Sequence, residues 1–109
     1  MQVTDIQWST TEKEISQSAF DRAHQREIDT LIQTVTEKAQ TISDVSEVWQ
    51  LHDFLSAKRH EIDGKYDYRY SGLLFVFARL VREKWLSIDE LEGLEPDKLA
   101  KISALVRMG

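Results

Sequence analysis

Apolar residues recur along this chain at spacings of three and four, the repeat that lines one side of an α-helix. The clearest run is Ile28, Leu31, Ile32, Val35, Ala39 and Ile42. At 100° per residue it falls within an arc of roughly 100° and predicts an amphipathic helix over residues 11–42. The N-terminal half of that segment is wetter, with Phe20 and His24 extending the stripe weakly. Such a helix measures on the order of 48 Å, whereas a compact chain of this size has a radius of gyration of roughly 13 Å. It must therefore bend, or project and bury its stripe against a second copy; a homodimer through these helices is the favoured expectation.

Little interrupts the helical periodicity, because glycine is scarce and Pro96 is the single proline. Ser9 with Glu12, Thr11 with Glu14, Asp44 with Glu47 and Ser87 with Glu90 each have capping-box spacing. A second helix is predicted over residues 45–63, stopping at Gly64, and a third over residues 68–85. The apolar run Leu73 to Ala78 also suits a buried strand, but the chain offers no partner strand, so helix is the reading. A turn over residues 88–92 ends at Gly93, and Pro96 opens a last helix through Met108, with Leu99, Ile102, Leu105 and Val106 on its apolar side. The expected fold is all-α: a long helical stem, a small helical head, and a dimer through the stem helices. One domain spans 1–109, with a flexible N-terminus at 1–10, the stem at 11–64 and the head at 65–109.

Composition agrees with an ordinary globular chain: 109 residues, 41% hydrophobic and 30% charged. No apolar run approaches the roughly 20 residues needed to cross a bilayer, so direct membrane insertion is not expected. The start, Met1 to Trp8, lacks a basic region followed by an apolar core, which leads us to expect a cytoplasmic protein. The absence of cysteine excludes disulfides and thiolate chemistry. A formal charge of −5 argues against a chain whose main task is holding nucleic-acid backbone. The charge is lopsided: residues 1–55 carry four basic and ten acidic side chains, residues 56–109 ten basic and nine acidic. Two solvated surfaces or electrostatic steering of a partner both account for this.

The second helix divides into two opposed faces. Leu51, Phe54, Leu55 and Ile62 form a conventional inner stripe, and opposite them lie Trp49, His52, Asp53, Ser56, Arg59 and His60. A tryptophan among ionisable groups on a nominally wet face has the composition of a protein-binding surface. Covering a neighbouring helix, or lying within the dimer contact, would explain it as well. Asp53 and Arg59 are too far around the helix to pair, since partners on one helix stand three or four residues apart, so an intermolecular role is the reading for both. Phe75 likewise projects away from the apolar side of its helix, beside Arg79 and Arg82, as a contact patch or a partly covered head residue. His52 and His60 are separated by roughly 12 Å along a straight helix, too far to share a metal. With no glycine-rich phosphate loop either, we assign no catalytic residue, metal or cofactor and expect no enzyme.

At these residues the chain resembles a known family. The stretch Trp49-Gln50-Leu51-His52-Asp53-Phe54-Leu55-Ser56-Ala57-Lys58-Arg59-His60-Glu61-Ile62-Asp63-Gly64-Lys65-Tyr66-Asp67 is similar to the hallmark segment of the cyanobacterial fluorescence recovery proteins. Trp8-Ser9, Gln25-Arg26-Glu27, Phe75-Val76-Phe77-Ala78 and Arg107-Met108 extend the likeness over nearly the whole chain. The resemblance implies an all-helical homodimer that binds the photoactivated orange carotenoid protein, mainly through that partner's C-terminal domain. It also implies faster red-to-orange reversion, release of the partner from the phycobilisome, and a place near the thylakoid surface. The resemblance assigns activity or dimer contacts to Trp49, His52, Asp53 and Arg59, and adds Phe75 and Lys101 in the head. Any carotenoid belongs to the partner. A dimeric helical adaptor for a different protein is the competing reading, and nucleic-acid binding, resting only on the mildly basic C-terminal half, is a distant third.

Overall fold

The computed structural model describes residues 6–109. Four helices, α1 (Thr10–Gln40), α2 (Val45–Lys65), α3 (Leu73–Arg82) and α4 (Pro96–Met108), are joined by short connections, with a single 3-10 turn at Ile88–Leu91 before α4. Ser9 caps α1 through a full capping box with Glu12, and Ser87 does the same for the 3-10 turn with Glu90. Asp44 accepts from the Glu47 N–H, but the Glu47 carboxylate reaches back to the N–H of Ser43 at 2.6 Å, so the expected box is shifted by one residue. Thr11 and Glu14 already lie inside α1 and cap nothing.

The bounds of two predicted helices move. Gly64 does not stop α2; the helix continues to Lys65, whose ammonium is drawn into a buried ion cluster, and Tyr66 becomes the cap. The third helix is shorter at both ends. Residues 66–72 instead form a strap whose Tyr66, Tyr68 and Tyr70 alternate along the chain and lie against α1. Phe20 meets Tyr66 and Tyr68 edge-on at 5.4 and 4.9 Å between ring centroids, and His24 meets Tyr66 at 4.8 Å. At its far end α3 closes in a Schellman turn. The Trp85 N–H donates to Leu80 O at 2.9 Å and the Lys84 N–H to Val81 O at 3.1 Å, which forces Lys84 into left-handed backbone at φ 68°.

The head contains the main hydrophobic core. Leu73, Phe77 and Leu80 from α3, Leu91 from the 3-10 turn and Ile102 from α4 are fully buried. Into the same core α1 sends Ala19 and Ala23, with Ser16, Glu12 and Glu27 buried along the same face. The N-terminal half of α1 therefore packs with the elements of the head. Small residues one turn apart let other elements approach the α1 backbone, a signal that hydropathy registers weakly. Within the segment expected as a flexible N-terminus, 1–10, Trp8 is buried in the core, and Gln7 O accepts from Lys98 Nζ at 2.6 Å. Residues 1–5 lie outside the described residues.

Beyond the head, α1 and α2 run as a hairpin with Lys38 stacked over Phe54 at 4.9 Å. Its apolar stripe is only partly covered: Ile28, Leu31, Val35 and Ile42 are half-buried, whereas Ile32, Ala39, Val45 and Val48 are exposed. The chain extends 58 × 25 × 24 Å with a radius of gyration of 17.1 Å, well above the roughly 13 Å of a compact chain of this size.

Two ionic clamps hold α1 in the head. Lys98 Nζ meets Glu12 at 3.0 Å, and the same carboxylate accepts from the N–H groups of Ser9 and Glu95. Burial alone would raise the Glu12 carboxyl, but these hydrogen bonds outweigh it and hold the group below the usual carboxylate range. Arg26 grips Glu90 with two bonds of 2.8 Å, and Arg22 adds a third at 3.0 Å. The Arg26 hydrogen bonds bring the Glu90 carboxyl down to about 2 against the opposing effect of burial.

Glycine has no Cβ penalty in left-handed backbone, so Lys84→Gly should stabilise the protein by about 1 kcal/mol, read as a higher urea midpoint at unchanged slope. Because the folded Glu90 pKa lies below its unfolded value, its contribution is present above the ordinary carboxylate range and lost as pH falls toward about 2. Glu90→Gln should accordingly lower the urea midpoint at neutral pH, with the two curves converging as that acid limit is approached.

Candidate protein-binding surfaces

Leu51 and Phe54 turn toward α1, where Lys38 stands over the Phe54 ring, and this leaves the opposite face of α2 outward. Trp49 is 60% exposed, and the His52, Asp53 and Arg59 side chains are 72%, 82% and 86% exposed. Their internal bonds are slight: His52 Nδ1 stands 3.3 Å from its neighbour Asp53, and Arg59 Nε lies 3.8 Å from Asp63, one turn on. Asp53 and Arg59 do not pair with each other, as their spacing requires. None of these groups is consumed by the fold. His52, Leu55, Ser56, Arg59, His60 and Asp63 line a shallow depression of about 540 Å³, apolar at Leu55 and ionisable around it.

A second surface lies on the head. Phe75 stands 65% exposed on α3, and Lys101, tied to Asp97 at 3.4 Å, projects from α4. Pairing of α3 with α4 brings these two into one apolar groove of about 310 Å³, together with Ile6, Leu74, Ala104 and Leu105. The groove was not readable in advance, because its walls come from both helices and from the segment before α1. The two arginines expected to flank Phe75 are engaged in the fold. Arg79 bonds Glu83 at 2.9 Å and Arg82 donates to Leu105 O at 3.0 Å, so Lys101 is the cation that shares the groove. The structure thus brings Phe75 and Lys101 together, brings Trp49, His52, Asp53 and Arg59 together, and sets the two groups on different elements.

Among the described residues there is no cluster of side chains suited to a metal ion, and no helix is long and apolar enough to cross a membrane. Fold and surfaces together define an elongated all-helical protein that presents side chains outward. Comparison with known proteins sharpens this. A family model described as photoprotection regulator fluorescence recovery protein matches residues 8–106. The curated fluorescence recovery protein of Synechocystis sp. is 47% identical over 108 residues, covering 99% of each chain. The solved structure of the Fremyella diplosiphon fluorescence recovery protein superposes with a TM-score of 0.91 at 58% identity, over 94% of this chain and 100% of that one. The Synechocystis structure gives 0.90 at 50% identity, over 93% and 99%. The chain belongs to the fluorescence recovery protein family of photoprotection regulators.

The neighbouring residues Phe75 and Phe77 separate surface from core. Phe75→Ala and Lys101→Ala should each change the unfolding free energy by less than about 0.5 kcal/mol in a urea titration. Phe77→Ala, which empties a fully buried position, should cost about 3–5 kcal/mol in the same titration.

Proposed function

We propose that this protein binds the photoactivated orange carotenoid protein, mainly through that partner's C-terminal domain. It speeds the partner's return from the red to the orange form and promotes its release from the phycobilisome. The carrying observation is the match of nearly the whole chain to photoprotection regulators, on a fold that leaves Trp49, His52, Asp53, Arg59, Phe75 and Lys101 exposed. Such an action makes and breaks no covalent bond. It needs only tighter binding to the intermediate or transition state of the partner's rearrangement than to the red form. Preference for the orange-like arrangement also shifts the equilibrium toward it. The carotenoid is the partner's, the protein needs no cofactor of its own, and it works in the cytoplasm beside the thylakoid surface where its partner is bound.

The working unit in this proposal is a homodimer joined through the stem. Ile32, Val45 and Val48 are 58%, 63% and 40% exposed, an uncovered apolar stripe that a two-fold copy of itself would bury. The α2 face then serves the dimer, the partner or both.

The test mixes the protein with photoconverted orange carotenoid protein and follows the red absorbance in darkness. Wild type should accelerate the decay, and Trp49→Ala or Phe75→Ala should reduce the acceleration by roughly tenfold or more while helicity is retained. Reversing the charge of Asp53 or Arg59 should weaken self-association in size-exclusion runs or partner binding in titrations. A wild-type protein without effect on the decay would overturn the proposal.

A further inference from the structure

Where the stem meets the head, one buried ammonium is shared by carboxylates from two other helices. Lys65 Nζ, at the end of α2, lies 2.7 Å from Glu27 of α1 and 2.7 Å from Glu83, the C-cap of α3. The Lys65 and Glu27 side chains are 1% and 5% exposed. The Tyr66 hydroxyl donates to Glu27 at 2.8 Å, and Arg79 Nε donates to Glu83 at 2.9 Å, with Glu61 at 3.8 Å from the same guanidinium. Five charged groups and a phenol from three helices and the strap are thus satisfied by one another.

A buried ion cluster adds little net stability over a well-packed apolar replacement, but breaking it by removing one member is costly. Its distinctive property is geometric. Apolar faces tolerate small slides, whereas an ammonium held between two carboxylates has few satisfied positions. Apart from this knot, the backbones of α2 and α3 scarcely approach each other. Those are the helices that carry the two exposed surfaces, Trp49 to Arg59 on α2 and Phe75 on α3. Helix α1 passes through both stem and head, but helices of its length are rarely straight, so its continuity alone does not fix the angle between them. The knot sits at Glu27, where α1 leaves the head.

We infer that Lys65 is a positioning residue: it sets the angle between the α2 surface and the α3–α4 groove, so that one partner molecule meets both as a single bivalent surface. This rests on the partner reading above, taken in the form in which the α2 face as well as the head groove contacts the orange carotenoid protein. Two patches held at a fixed spacing bind with a high effective concentration for the second contact, and loosening the link removes that gain without altering either patch.

The experiment titrates photoconverted orange carotenoid protein with wild type, Trp49→Ala and Phe75→Ala, each with and without Lys65→Met. Because Lys65→Met strands two carboxylates, Lys65→Met/Glu27→Gln is run alongside; the glutamine oxygen still accepts from Tyr66. Either Lys65 variant that retains helicity should weaken the otherwise intact protein about tenfold. The same change should leave the affinities of the Trp49→Ala and Phe75→Ala proteins within about twofold, since a single patch has no partner patch to be aligned with. A uniform loss in all three backgrounds, or no loss in the intact protein, would show that Lys65 holds the fold together and aligns nothing. If neither Trp49→Ala nor Phe75→Ala weakens binding, the partner reading itself fails and this inference goes with it.

Discussion

A single helix of 31 residues, Thr10–Gln40, is longer than the other elements can wrap, and the architecture follows from where they choose to cover it. They gather at its N-terminal half, where Ser16, Ala19 and Ala23 keep the backbone accessible and Glu12 and Glu27 supply anions near either end of the buried face. Phe77, Leu80 and Ile102 complete a core there that the stem lacks. Along what remains of α1, α2 is the main neighbour among the described residues, with Trp85 touching its start. Two helices bury at most one side of each other, so Ile32, Val45 and Val48 stay in contact with solvent.

The polar interior of the head acts as a set of locating pins. Each buried cation, Lys98 and Lys65, meets a carboxylate from a different element, and Arg26 reaches the carboxylate that also caps the 3-10 turn. Burying these ions has a large desolvation cost, so misregistered packings that separate them are strongly disfavoured. The residues at Trp8, Arg26 and Glu27 that carry part of the family likeness are therefore structural. Those at Trp49, His52, Asp53 and Arg59 are not, because the fold uses almost none of their hydrogen-bonding capacity. An exposed aromatic among uncommitted charges, on a regulator that matches its family from residue 8 to residue 106, is what the proposed contact with another molecule rests on.

The number of helices, the capping boxes at Ser9 and Ser87, the start of α4 at Pro96, and the outward direction of Trp49 and Phe75 were determined by the sequence alone. All of these depend on local rules: a side chain reaching its own backbone, a missing N–H, and the fixed 100° step that assigns residues to faces. The tertiary structure decided what local rules do not contain. It carried α2 through Gly64 because Lys65 has partners 38 and 18 residues away, and it recruited the small residues of α1 into the head. It spent Arg79 and Arg82 on internal bonds and joined Phe75 to Lys101 across two helices to make a groove. Periodicity assigns a side chain to a face of its own helix, but only the packing of distant segments determines what that face meets.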